Sequence, residues 1–493
     1  MHGCVQMDAP PPKRKPNPKL PRQELPVLSM DLRTSTPQEV ALGFTEKEVE
    51  IEAWRCTQCL KPTCIEACPL HIDVKRFIYR LAVGDYQGAH DVISEESPFP
   101  GVCGRVCQHE LYCEDACILA KKMDPVAIGS LERFAADHAR LKKTEEQAKA
   151  CATGKKVALI GSGPASLIAS YDLVRKNYRV TIFEALHKLG GVLAYGIPNF
   201  RLPRDILKEE IDRLKNMGVE FVTDFIVGKT ATLEELFEEG FEAVFIGTGA
   251  GLPFLMGIPG ENLIGVYTAN EYLTRINLME AYKFPDTDTP VNVGQRVWVI
   301  GGGNSAMDAA RWSRRRGAQT GIMFRRGRQE LRARQEEIVH AEEEGVEFHF
   351  LAAPVALHGD ENGQLKEMEC IRMELGEIDS SGRPSPVPIP GSNFRVPADT
   401  VVMAIGQAPN PTVQKTVPQL VTKKGKIVVD DAGATSLHNV FAGGDVVRGG
   451  STVILAMKDG RAAAAAIDKA LSNGAKNESD SGQTSVGSTD HVV

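Results

Sequence analysis

The chain has 493 residues, 42% of them hydrophobic and 25% charged, with a formal net charge of −7. At about 100–200 residues per domain this is material for about three domains with ordinary cores, and the mild negative charge removes any general attraction to nucleic acid or anionic membrane. The cysteines number 11, an odd count gathered mostly in one block, which does not suit a secreted disulfide framework.

No run of roughly 18 apolar residues is present to span a bilayer. The basic N-terminal stretch has no apolar segment after it, as a secretory signal would. The expected compartment is therefore the cytoplasm, where thiols stay reduced. Residues 1–25, rich in Pro and Lys, read as an extended or disordered leader. Residues 26–150 read as a helical cysteine domain. "PQEVALGFTEKEVEIEAWRC" (37–56) has apolar positions at helical spacing, and "VAIGSLERFAADHARL" (126–141) predicts a further helix. Between them "CTQCLKPTCIEACP" sets Cys56, Cys59, Cys64 and Cys68 at x2, x4 and x3 spacing before Pro69, and Cys103, Cys107, Cys113 and Cys117 follow. Structural zinc favours paired C-x2-C knuckles, of which there is one. A compact run closing on Cys-Pro is nearer the ferredoxin pattern, whose last cysteine serves the other cluster. On the residues alone, eight thiolates suffice for two [4Fe–4S] clusters, with Cys103 among the ligands.

From Lys155 the texture changes to strand, glycine turn, helix and strand, and the plan occurs twice. The first copy places Gly161, Gly163 and Ser166 at the fingerprint positions; the second places Gly301, Gly303 and Ala306. Such turns let backbone N–H groups meet a pyrophosphate at a helix N-terminus. Closing the next strand, Glu184 stands where a carboxylate accepts from ribose hydroxyls in the first copy. Arg325 and Arg326 stand at the matching place in the second, where they would pair with a 2′-phosphate. Arg332 and Arg334 are next in line. The expected ligands are FAD and NADPH in that order. The last segment, "FAGGDVVRGGSTVILAMKDGRAAA", adds a strand, a glycine turn and a helix. The expected boundaries are 151–285 with 412–472 for the first unit, 286–411 for the second, and a disordered tail over 473–493.

"GSGPAS", "GGVLAYGIPNFRLP", "GGGNSAMDAAR" and the last segment resemble the flavin-dependent pyridine-nucleotide oxidoreductases. The resemblance implies an FAD unit with the NADPH unit inserted in it. It adds Gly191, Gly444, Asp445 and Thr452 to the flavin site and Asn304 to the nucleotide site. Asp445 would bond the ribityl or pyrophosphate part, and the helix starting near Thr452 would point its positive end at the flavin. The flavin and nucleotide regions carry no CxxC, Cys151 and Cys370 being isolated there, so electrons need another exit.

With the cysteine block added, nearly the whole chain resembles the small subunits of NADPH-dependent glutamate synthases. Its N-terminal part also resembles a region of dihydropyrimidine dehydrogenase. The large subunit of bifurcating NADH-dependent ferredoxin–NADP oxidoreductases has the same layout and is the alternative. The resemblance gives Cys56, Cys59, Cys64 and Cys117 to one cluster. It gives Cys68, Cys107, Cys113 and Glu132 to the other, with Cys103 the rival of Glu132. The implied fold is an α-helical iron–sulfur domain followed by two α/β Rossmann-like units. The implied activity passes hydride from NADPH to FAD, then single electrons to a glutamate synthase large subunit or another redox partner subunit. Hydride transfer needs no general base, so no catalytic side chain is expected. Glutamine hydrolysis would sit on the partner, because Met1 opens the chain and Cys4 lies within the polar leader.

Overall fold

The computed structural model describes residues 15–141, 154–380 and 382–480. Cys4 and the rest of the leader up to residue 14, Cys151, and residues 481–493 of the expected tail lie outside the described residues. The remainder of the leader lies along the cysteine domain. Asn17 N donates to Trp54 O (2.8 Å), Gln23 N to Glu52 Oε2 (2.8 Å), and the Arg22 guanidinium pairs with Glu114 (2.8 Å).

The cysteine domain is helical: α1 Met30–Ser35, α2 Glu46–Ala53, α3 Thr63–Ala67, α4 Val74–Ala82, α5 Tyr86–Glu96, α6 Pro100–Val106 and α7 Ile128–Leu141. In α4, Val74, Phe77, Ile78, Leu81 and Ala82 are buried, the stripe that a 3.6-residue period puts on one face. The helix expected over 37–56 forms only in its second half. Residues 26–28 bridge to 40–42 as extended chain, and the helix begins only after a capping box between Thr45 and Glu48. Tertiary contact overrides the spacing there: Val40 N donates to Phe200 O (3.0 Å), and its side chain enters the core of the second nucleotide unit. Where α6 crosses α7, a Cβ on Gly104 would stand 2.6 Å from Arg133 N, so only glycine permits the approach.

The first nucleotide unit is a five-stranded parallel sheet. The strand Val440–Ala442 forms one edge, followed by β4 (Phe241–Ile246), β1 (Lys156–Ile160), β2 (Arg179–Phe183) and β3 (Glu220–Val222). Helix α8 (Pro164–Arg175) follows β1 through the first glycine turn. The second unit repeats the pattern with β6 (Val266–Thr268), β14 (Thr400–Met403), β7 (Arg296–Ile300), β8 (Gln319–Phe324) and β9 (Glu347–Phe350). Its sheet therefore begins at Val266, twenty residues before the expected boundary at 286, because β6 pairs in parallel with β14. Strands β10 (Ala352–Gly359), β11 (Leu365–Ile378), β12 (Pro384–Pro388) and β13 (Phe394–Pro397) form an antiparallel sheet between β9 and β14. Two short antiparallel linkers, β5 (Leu252–Pro253) and β15 (Gln407–Ala408), join the units. The helix Val453–Asp480 extends past residue 473, where the tail was expected to start.

The second unit is also held from the cysteine-domain side. Arg33 of α1 pairs with Glu343 (2.7 Å) and Glu344 (3.4 Å), and Arg334 donates to Arg105 O (2.5 Å). A charged cavity of about 500 Å³ lies at this junction, with Arg201, Arg334 and Glu337 in its wall. Among the described residues, no helix is long and apolar enough to cross a membrane.

Candidate functional site

The cysteines gather into two groups. Burial pushes the Cys56 thiol up to about 11 and the Cys64 thiol up to about 12, and in both the neighbouring thiols among Cys56, Cys59, Cys64 and Cys117 add to the rise. Loops 57–63 and 111–117 are tied by Thr63 Oγ1 donating to Ala116 O (2.6 Å), which brings Cys117 to the first run. Cys68, Cys107, Cys113 and Glu132 line a second, small cavity, and Cys103 shares its wall. Burial raises the Cys107 and Cys113 thiols, and Glu132 adds to both. Thus Cys68 leaves its sequence neighbours and joins the later cysteines, as the Cys-Pro pattern requires.

Glu132 is 4% exposed, and its Oε1 has no hydrogen-bond partner, while Oε2 lies 3.4 Å from His109 Nε2. A buried carboxylate oxygen without a partner is costly in a purely structural role and suits an iron ligand. The Cys103 thiol is engaged elsewhere, 3.7 Å from Ser97 Oγ and 3.7 Å from Met457 Sδ. Among the described residues, no three His, Cys, Asp or Glu converge on a point where one metal ion could sit. Four thiolates on one zinc stand about 3.8 Å apart at Zn–S of about 2.3 Å, whereas those of a cubane each take their own iron and stand wider. The donor sets fit clusters.

The first glycine turn is shaped for a dinucleotide. Gly161 has φ +90°, and a Cβ on it would lie 2.7 Å from Gly247 O. Gly163 has open space where a Cβ would stand, so a phosphate can approach the backbone at the start of α8. Ser166 is fully buried against Gly247, whose absent Cβ would fall 2.4 Å from its Oγ. Glu184 is buried, and its carboxylate accepts from Ser162 N (2.8 Å), Ser162 Oγ (2.5 Å) and Leu186 N (2.9 Å). Ser162 Oγ also accepts from Gly190 N (2.9 Å), which brings Gly191 onto Gly163. The sequence reading passed over Ser162, although it stands between the two glycines. It also passed over Tyr195, whose hydroxyl is pushed up to about 12 by burial, with Asp445 and Glu184 adding to the rise.

At the other end of the flavin site, Gly444 N donates to Asp459 Oδ2 (3.0 Å). Asp445 accepts from Ser451 N (3.1 Å) and Ser451 Oγ (2.9 Å). Thr452, at the start of the final helix, has its Oγ1 3.1 Å from the hydroxyl of Tyr112 in the cysteine domain. Ile454, two residues on, lines the cavity of Cys68, Cys107, Cys113 and Glu132. The second cysteine group therefore abuts the start of the final helix.

The second turn repeats the first. A Cβ on Gly301 would lie 2.3 Å from Ala404 O, Gly303 is open, and Ala306 is fully buried. Asn304 Oδ1 accepts from Arg334 N (2.9 Å) and so holds the loop before the helix Gln335–Glu343. The arginines behave differently from one another. Arg325 is exposed. Arg326 is 3% exposed, pairs with Asp379 (2.6 Å) and donates to Pro384 O (2.8 Å), so its guanidinium belongs to the antiparallel sheet. Arg334 likewise bonds Arg105 O and Glu336 (2.8 Å). Arg383, which the sequence reading missed, has its guanidinium pKa lowered by burial and by Arg332, Arg326 and Arg325. These four cations share one corner. No local sequence signal marks Arg383, because a turn some 50 residues downstream carries it there.

Residues 33–144 match the family described as dihydropyrimidine dehydrogenase domain II, 4Fe-4S cluster, and residues 155–460 match the pyridine nucleotide-disulphide oxidoreductases. The chain is 35% identical over 437 residues to the glutamate synthase [NADPH] small chain of Halomonas elongata, covering 87% of this chain and 92% of that one. The small chain of Escherichia coli is 34% identical, with 91% and 97% covered. The beta subunit of the NADP(+)-dependent formate dehydrogenase of Moorella thermoacetica is 41% identical over 438 residues, which are 83% of this chain and 60% of that protein's length. The solved structure of Mycobacterium tuberculosis FprA in complex with NADPH shares the fold at 21% identity and a TM-score of 0.55, over 66% of this chain and 86% of that one. The chain belongs to the pyridine nucleotide-disulphide oxidoreductase family, as an NADPH-dependent flavin oxidoreductase with an iron–sulfur domain of the dihydropyrimidine dehydrogenase type.

Proposed function

We propose that the chain is the electron-input subunit of a glutamate synthase, serving a large subunit that makes glutamate from glutamine and 2-oxoglutarate. Bound FAD supplies a two-electron hydride acceptor that can release electrons singly, and two [4Fe–4S] clusters supply a one-electron relay. Gly161, Gly163, Ser166, Glu184, Gly191, Gly444, Asp445 and Thr452 hold the flavin nucleotide. Gly301, Gly303, Asn304, Ala306 and Arg325 hold NADPH, with Arg326 bracing that corner from behind. Cys56, Cys59, Cys64 and Cys117 ligate one cluster. Cys68, Cys107, Cys113 and Glu132 ligate the other.

The observation that carries this reading is the seam between Tyr112 and Thr452. The second cysteine group meets the start of the final helix there, and the first group lies towards the surface, where Leu60, beside Cys59, is 98% exposed. Such an order suits a relay that ends on a partner. The extent of the match to glutamate synthase small chains, 92% and 97% of their length, supports that partner.

The test is reconstitution. The chain alone should oxidise NADPH with an artificial dye and form no glutamate; adding a glutamate synthase large subunit should yield glutamate from glutamine and 2-oxoglutarate. Glutamate formed by the chain alone would overturn the division of labour. The 41% identity to a formate dehydrogenase subunit favours a second reading, input or output for another redox subunit. Formate-dependent reduction of NADP⁺ with a formate dehydrogenase catalytic subunit, and no productive pairing with the glutamate synthase subunit, would select it.

A further inference from the structure

His109 lies on a short 3₁₀ turn, His109–Leu111, between Cys107 and Cys113. It is 4% exposed, yet it ligates nothing in the scheme above. Its Nε2 stands 3.4 Å from Glu132 Oε2. The ring is seated from both sides. Its backbone oxygen accepts from Tyr112 N (3.0 Å) and Glu114 N (3.0 Å), and Glu114 Oε1 in turn accepts from Gly129 N (3.1 Å) at the start of α7. A Cβ on Gly129 would fall 2.3 Å from His109 Nδ1, so a side chain there would expel the imidazole. The turn, the glycine and the helix together fix the ring against Glu132.

The two carboxylate oxygens are then unequal. Oε2 has the imidazole, whereas Oε1 is buried without a partner, on a residue that lines the cavity of Cys68, Cys107 and Cys113. A pair that only stabilised the fold would not leave one oxygen unsatisfied. We propose that His109 is the positioning residue that presents Glu132 to the second cluster, its Nε2–H holding Oε2 so that Oε1 faces iron. Groups that orient a metal ligand in this way commonly change metal affinity 10- to 100-fold when removed. The proposal rests on Glu132 being a ligand.

The test uses the full chain loaded with clusters and compares wild type, His109→Leu, His109→Gln and Glu132→Ala. The readouts are the EPR spectrum and midpoint potential of each cluster, and iron retained against a chelator. Glu132→Ala should alter one cluster. His109→Leu should alter the same cluster and lower its iron retention about 10- to 100-fold, with the other cluster unchanged. His109→Gln, which keeps an N–H donor near the same place, should restore that cluster's spectrum and iron retention. A wild-type spectrum in His109→Leu, beside an altered one in Glu132→Ala, would overturn the proposal and leave His109 a packing residue. If His109→Leu fails to fold or loses both clusters, His109→Gln decides, and failure of that variant to restore the cluster also overturns it. Two unchanged clusters in Glu132→Ala would remove the ligand itself, and the proposal with it.

Discussion

A guanidinium can hold a phosphate only when its own donors are not already taken. Arg326 has given its donors to Asp379 and Pro384, whereas Arg325 is exposed beside Arg332 and Arg383. A charge-assisted hydrogen bond contributes about 1.5–3 kcal/mol. Arg325→Ala should therefore weaken NADPH roughly 10- to 150-fold and leave NADH nearly unchanged, as read by titration of the two coenzymes. Arg326→Ala should instead lower the melting temperature, because it removes the Arg326–Asp379 pair and the hydrogen bond to Pro384 O. Full NADPH preference in Arg325→Ala would move the 2′-phosphate site elsewhere. The sequence carried the adjacent arginine pair plainly, since a strand end with two basic residues is a local pattern. It could not show which member was engaged, because Asp379 and Pro384 arrive from a hairpin over 50 positions away. Gly161 and Gly301 were readable from their own turns, because each follows an apolar strand and takes a positive φ, although the carbonyls that exclude a Cβ there, of Gly247 and Ala404, come from distant strand ends.

Elements meet at glycines that no fingerprint announces. Gly460 in the final helix would carry its Cβ 2.0 Å from Ala165 O, so the helix approaches α8 this closely only because residue 460 is glycine. Gly460→Ala should push α8 and its phosphate-facing turn aside, and the purified protein should retain less FAD per chain by flavin absorbance. Gly104 serves α6 and α7 in the same way. Gly104→Ala should cost about 1–3 kcal/mol through overpacking, seen as a lower denaturation midpoint and as iron loss confined to the cluster of Cys107. Unchanged iron and midpoint would show that the crossing relaxes freely. The helix at α7 was readable from the apolar spacing over 126–141; the extended stretch around Val40 was not, because its partner, Phe200, belongs to another domain.

At the scale of the molecule, the junction of the three domains is ionic. Burial alone would raise Glu344, but the hydrogen bonds and charges of Arg311 and Arg315 outweigh it and hold the carboxyl down at about 2. A folded value below the unfolded one, about 4.3, stabilises fully above that value, and the gain is lost as pH falls towards about 2. Tryptophan fluorescence, with Trp312 beside Arg311, should report a melting temperature that declines steeply through this acid window. Glu344→Gln should be less stable near neutral pH and decline less. Equal slopes in the two proteins would remove Glu344 from the acid response. The same junction bears on movement. The nucleotide unit joins the flavin unit through β5 and β15 and is pinned to it again by Arg201, whose guanidinium pairs with Asp308 (2.8 Å) and Glu337 (3.0 Å). Arg33 on Glu343 and Glu344, with Arg334 on Arg105 O, ties it to the cysteine domain as well. The spacing of the two nucleotide units is thereby set by these side-chain ties as much as by the linkers, so a pair of fluorescent probes, one on each unit, should report one steady distance through turnover.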